Sequence, residues 1–183
     1  MRVAVFGGSF NPPHLGHVLA GTWLLATGEV DHVLVVPAFR HAFGKNLSPF
    51  ELRLRLTEAA FACVAHASVD PIEFELSGES RTLHTLEALA RLHPTWGLRL
   101  VIGTDVLAEA DKWYRFDRVR ELAPPLVLPR SDGTRPSPLP VLSSTQVRAS
   151  LREGGREAIR DLVPRAVYDL LDDDARGALL GCS

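Results

Sequence analysis

Apolar and polar positions alternate between two kinds of stretch along this chain. Short continuous apolar runs at residues 2–6, 32–36, 98–102 and 126–128 read as strands buried on both faces. Longer segments with apolar residues three and four apart read as helices, over residues 17–26, from 48 to about 66, and from 80 to about 92. The first helix ends near Gly28, and Pro37 closes the second strand. A further short strand is expected over residues 69–74, interrupted by Pro71. Strand and helix in turn predict an α/β fold: a Rossmann-like, doubly wound parallel sheet covered by helices. No repeat, low-complexity tract or linker divides the chain, so residues 1–183 are expected to form one domain with a C-terminal helical segment.

The junction between first strand and first helix carries the clearest chemistry. It reads Gly7-Gly8-Ser9-Phe10-Asn11-Pro12-Pro13-His14-Leu15-Gly16-His17. Two glycines at a strand end permit a tight turn and close approach of a ligand to the backbone. Pro12 and Pro13 stiffen the entry to the helix. His14 and His17, three apart, share one face at a helix start, where free N–H groups and the dipole favour an anion. Gly16 between them suits a ligand lying against the backbone. A plain strand-turn-helix with two surface histidines is the bland alternative. Glycine turn, helix start and paired imidazoles together point to a phosphate site.

A second helix start has the same character. In Ser143-Ser144-Thr145-Gln146-Val147-Arg148, Ser143 and Gln146 fit a capping box, and Arg148 lies one turn inside. A triphosphate needs two anion cradles, and this is the candidate for the second. The strand at 98–102 ends in Gly103-Thr104-Asp105, where Asp105 either caps the next helix or accepts from ribose hydroxyls. The loop at 38–47 is either solvated or a cationic arm over phosphates, with Lys45 as the contact. Thr82 and Thr85 stand at a helix start, as caps or as pocket residues. Trp113, beside Tyr114, is either core, with Leu107, Phe116 and Val119 at helical spacing, or a stacking surface for a flat ring. Arg53 and Arg55 read as surface residues without a role, and Cys63 reads as core.

Composition narrows the class of partner. The chain has 46% hydrophobic and 23% charged residues, as in an ordinary soluble globule. A net charge of −2 gives no bulk attraction for long nucleic acid. Two cysteines, Cys63 and Cys182, make neither a disulfide framework nor a metal site, which suits a reducing compartment. No signal segment and no membrane span is legible, so a cytoplasmic protein is expected.

The string from Gly7 to His17 resembles the H-x-G-H signature of the nucleotidylyltransferase superfamily and, more narrowly, nicotinate-nucleotide adenylyltransferases. Ser143 to Arg148 resembles that superfamily's S-S-T-x-[IV]-R element, which binds ATP phosphates. Ile102-Gly103-Thr104-Asp105 and Lys112-Trp113-Tyr114 resemble the family's I-G-x-D and W-Y elements. Thr82 and Thr85 match its S-Y-T-x-x-T-L string, with Arg81 in place of the tyrosine, and the tail from Leu162 resembles its closing helix. The resemblance implies AMP transfer from ATP to nicotinate mononucleotide, giving deamido-NAD and pyrophosphate. It implies His14, His17 and Arg148 as catalytic residues. ATP would be bound by Gly7, Gly8, Ser9, Phe10, Gly16, Lys45, Gly103, Asp105, Ser143, Ser144 and Thr145. Thr82, Thr85, Trp113 and Tyr114 would hold the mononucleotide, the tryptophan stacking on the pyridine ring. Mg²⁺ would arrive on ATP, with no metal site in the chain. A sister enzyme acting on nicotinamide mononucleotide or pantetheine phosphate, and a non-catalytic nucleotide-binding module, are the rival readings.

Overall fold

The computed structural model describes residues 1–40, 46–76, 81–104, 113–129 and 138–181. Five strands form one sheet: β1 (Arg2–Gly8), β2 (His32–Pro37), β3 (Ala67–Val69), β4 (Gly97–Gly103) and β5 (Pro125–Leu128). Their order is β3-β2-β1-β4-β5, and every pairing is parallel. The expected doubly wound sheet is therefore present. Successive side chains of a strand point to opposite faces, and here both faces are apolar. Ala4, Phe6, Val33, Val35, Val101, Leu126 and Leu128 belong to one buried cluster; Val3, Val5, Leu34, Val36, Leu98, Leu100 and Ile102 belong to the other.

The helices share out between these faces. The first cluster takes in side chains of α1 (Leu15–Ala26), α2 (Phe50–Phe61) and α6 (Ser144–Gly154). The C-terminal turn Arg156–Ile159 and helices α7 (Arg165–Leu170) and α8 (Asp173–Leu180) join the same cluster. The second takes in α3 (Ile72–Glu75), α4 (Thr82–Leu92) and α5 (Phe116–Leu122). Each buried Val, Leu or Phe contributes about 1.5–3 kcal/mol of transfer free energy, which holds both layers on the sheet.

This winding creates a cleft. The chain leaves β1 for β2 and β3 on one side, then returns to place β4 on the other. Pairing of β1 with β4 stops at Val5 with Leu100. Beyond it, β1 continues against β2 to Gly8 and β4 continues against β5 to Gly103. Residues 6–8 and 101–103 thus part company at the carboxyl ends of the strands, at the point where strand order reverses. Open α/β sheets bind ligands in such a crevice.

Three local expectations change. Residues 69–74 split into the end of β3 and the short helix α3, because Asp70 Oδ1 accepts from the Ile72 N–H at 2.9 Å and starts a turn after Pro71. Helix α2 stops at Phe61 rather than near residue 66, and His66 has a left-handed backbone (φ 61°). Cys63, just past that end, is exposed. Its apolar neighbours suggested a core position only because the helix was expected to run on.

Candidate active site

The glycine turn is built on a phenylalanine floor. A Cβ on Gly8 would meet the Phe10 ring at 3.1 Å, so glycine lets that ring lie beneath the turn without being pushed aside. Phe10 has φ 45° and is fully buried, edge-on to Phe6 at 5.7 Å and to Phe61 at 6.3 Å. Its side chain is core; any contact with ATP falls to the backbone. Gly7 is exposed, with open space where a Cβ would stand.

His14 is the residue before the first turn of α1, with extended backbone, and is 4% exposed. Its ring stacks on that of His17, centroids 3.7 Å apart and planes inclined by 26°. The His14 N–H donates to His17 Nδ1 at 3.2 Å. That bond makes Nδ1 the acceptor, so the ring proton of His17 sits on Nε2, ready to donate. His17 is half-buried, and its ring lies 4.8 Å from that of Phe10. Gly16 also gives room within the protein. A Cβ there would stand 3.1 Å from Cε1 and Nδ1 of His14, so the absence of a side chain makes room for the imidazole.

The second helix start meets the first. Ser143 Oγ accepts from the Gln146 N–H at 3.2 Å, and Gln146 Oε1 accepts from the Ser143 N–H at 2.8 Å, which is the expected capping box. Ser144 Oγ donates to the Pro12 carbonyl at 2.8 Å. Arg148 Nη1 donates to the Asn11 carbonyl at 2.6 Å, and Nη2 to Thr145 Oγ1 at 3.5 Å. The starts of α1 and α6 are thus tied through residues 11 and 12. Both carry positive dipole ends and N–H donors at the carboxyl end of β1. Because the Ser144 proton is engaged with Pro12, that hydroxyl works as a tie between the helices.

The remaining candidates lie on the other face. Thr82 opens α4 half-buried. Thr85 is buried, and its hydroxyl lies 3.2 Å from Glu73 Oε1 and 3.4 Å from the Arg81 carbonyl. Trp113 is half-buried against the second cluster, edge-on to Phe116 at 5.8 Å. Tyr114 is half-exposed, with the Arg81 guanidinium 4.5 Å from its ring centroid and the His84 ring at 6.0 Å. Gly103 is buried at the end of β4, beside the cleft. Lys45 and Asp105 lie outside the described residues. Among the described residues, no three His, Cys, Asp or Glu side chains gather as metal ligands. Nor is any described helix long and apolar enough to cross a membrane.

A family model described as Cytidylyltransferase-like matches residues 5–150, which include both helix starts. Over 173 residues the chain is 48% identical to a protein of Anaeromyxobacter dehalogenans named "Probable nicotinate-nucleotide adenylyltransferase", with 91% of each covered. The chain belongs to the nicotinate-nucleotide adenylyltransferases of the cytidylyltransferase-like family. Solved structures share the fold of this adenylyltransferase. A putative nicotinate-nucleotide adenylyltransferase from Vibrio parahaemolyticus superposes with a TM-score of 0.76 at 24% identity, over 98% of this chain and 95% of that one. The nicotinic acid mononucleotide adenylyltransferase of Plasmodium falciparum, complexed with NaAD, gives 0.75 at 16% identity, over 92% and 93%.

Two parts of this adenylyltransferase site escape a reading of the sequence. Asn11 is buried; its side-chain Oδ1 accepts from Ser48 Oγ at 2.6 Å while its carbonyl accepts from Arg148. The string Ser48-Pro49-Phe50-Glu51 fits a capping box, but Pro49 occupies the cap position and the Ser48 hydroxyl turns inward to Asn11. Arg53, expected on the surface, is 1% exposed.

Proposed function

We propose that the chain transfers AMP from ATP to nicotinate mononucleotide, giving deamido-NAD and pyrophosphate. The observation that carries the reading is the joining of the two helix starts by Arg148 to Asn11 and Ser144 to Pro12. It supports a single cradle for one triphosphate at the cleft between β1 and β4. The pyridine acceptor rests on the relatives' names, on Trp113 and Tyr114, and on Thr82 at the start of α4.

The chemistry asks little of the protein beyond placement. The acceptor's 5′-phosphate has a second pKa near ~6, so at neutral pH it is already an adequate nucleophile. One of its oxygens attacks the α-phosphorus of ATP in line, and the bond to the β-phosphate oxygen breaks, releasing pyrophosphate. The enzyme must hold two anions together and stabilise charge on the equatorial oxygens. His17 Nε2–H, the backbone of the glycine turn and the Arg148 guanidinium are the donors for that task. Mg²⁺ enters with ATP as part of the substrate. The low cysteine count suits the cytoplasm as the place of reaction.

The test is pyrophosphate release from ATP with nicotinate mononucleotide, nicotinamide mononucleotide and pantetheine phosphate offered separately. Release with the first in clear excess over the others is expected. Release only with another acceptor reassigns the substrate, and release with none sinks the enzymatic reading.

A further inference from the structure

Arg53 lies inside the protein, on the buried face of α2 with Phe50, Leu56 and Thr57. Its Nε donates to the Ser48 carbonyl at 2.9 Å, Nη1 to the Ser9 carbonyl at 2.9 Å and Nη2 to the Phe39 carbonyl at 3.3 Å. The guanidinium also lies 5.4 Å from the Phe50 ring centroid. An arginine stays charged inside proteins, and a buried charge is tolerated only when hydrogen-bonded. Three backbone carbonyls supply those bonds.

The acceptors are far apart in sequence and each leads to the site. Ser9 belongs to the glycine turn. Phe39 follows β2, and its N–H donates to Glu73 Oε2 at 3.1 Å; the other oxygen of Glu73 is bonded to Thr85 at 3.2 Å. Ser48 precedes α2, and its hydroxyl holds Asn11, whose carbonyl receives Arg148. A chain of polar contacts therefore runs from Thr85 to Arg148, with Arg53 at its middle. The guanidinium meets the three carbonyls from three separate nitrogens held in one plane; a lysine ammonium must donate all its bonds from a single nitrogen on a flexible stem.

We infer that Arg53 is a positioning residue for the transfer reaction. By holding the Ser9 carbonyl against Phe39 and Ser48, it sets the glycine turn whose backbone meets the ATP phosphates. The inference rests on the adenylyl-transfer reading above.

The full chain is compared with Arg53→Lys and Arg53→Met, at a temperature where circular dichroism shows each folded. The KM for ATP is expected to rise about tenfold in Arg53→Met and about threefold in Arg53→Lys, with the acceptor KM within about twofold of wild type. A purely structural role would leave both KM values unchanged and lower only the apparent kcat with the folded fraction. An unchanged ATP KM in a folded variant therefore overturns the inference. If Arg53→Met does not fold, Arg53→Lys decides on the same measurement; if neither folds, the role is structural and the inference fails. Should wild type turn over no acceptor, the reaction reading fails instead, and the calorimetric Kd for ATP decides Arg53 by the same criterion.

Discussion

Gly16→Ala adds one carbon where the His14 ring already lies. The new Cβ would stand 3.1 Å from two atoms of that ring and 3.7 Å from Leu142 Cβ, whereas ordinary contact begins at 3.4 Å. The ring would have to retreat by a few tenths of an ångström. It is poorly placed to do so, being buried and stacked on His17 at 3.7 Å. Any shift of His14 therefore carries His17 with it. On stability, alanine gains up to about 1 kcal/mol of helix propensity, less in a first turn, while overpacking costs about 1–3 kcal/mol. These nearly offset, so the melting temperature is expected to fall by only a few degrees. Catalysis is more sensitive, because a misplacement of about 1 Å costs roughly a hundredfold. A displacement of a few tenths corresponds to about tenfold in kcat, or about 1.4 kcal/mol in the barrier. Pyrophosphate release at saturating substrates, measured beside a thermal melt, checks both numbers. Wild-type kcat in the folded variant would refute the claim that this glycine exists to seat His14.

Three further predictions concern the donors and the fold. His17→Ala removes the Nε2–H donor and is expected to lower kcat about a hundredfold, some 3 kcal/mol, in single-turnover assays; full turnover in a folded variant would exclude His17 from charge stabilisation. Arg148→Ala loses both its phosphate charge and its tie to Asn11, so kcat/KM for ATP should fall at least about a hundredfold. A change confined to the acceptor KM would move Arg148 out of the triphosphate cradle. Burial, with a smaller push from His66, holds the His32 imidazole below its ordinary range. Folding thus favours the neutral ring, and stability present above about pH 6.5 should decline as pH drops through the lowered folded value. Urea midpoints taken between pH 8 and 5 should show this decline and a flatter profile for His32→Gln; equal slopes would remove His32 as the cause.

What could be read from the chain follows from how local each cause is. The glycine turn, the H-x-G-H start and the Ser143 capping box are local geometries, encoded within a few adjacent residues, and they stand where expected. The buried strands were legible because a sheet covered on both faces needs continuous apolar runs. Arg53 was not, since its burial depends on carbonyls from three segments up to 44 residues away. An arginine in a helix pattern otherwise counts as solvated. Ser48 misled for a related reason: S-x-x-E is a capping signal, but the tertiary bond to Asn11 took its hydroxyl. Gly16 was legible as a site of close approach, and the neighbouring imidazole is one group that approaches it.

A crystal structure with a non-hydrolysable ATP analogue tests most directly whether α1 and α6 grip one triphosphate. Its phosphate oxygens should lie within about 2.7–3.2 Å of both His17 Nε2 and the Arg148 guanidinium, in the cleft between β1 and β4. A triphosphate that meets only one of those side chains, or lies outside that cleft, would contradict the shared cradle.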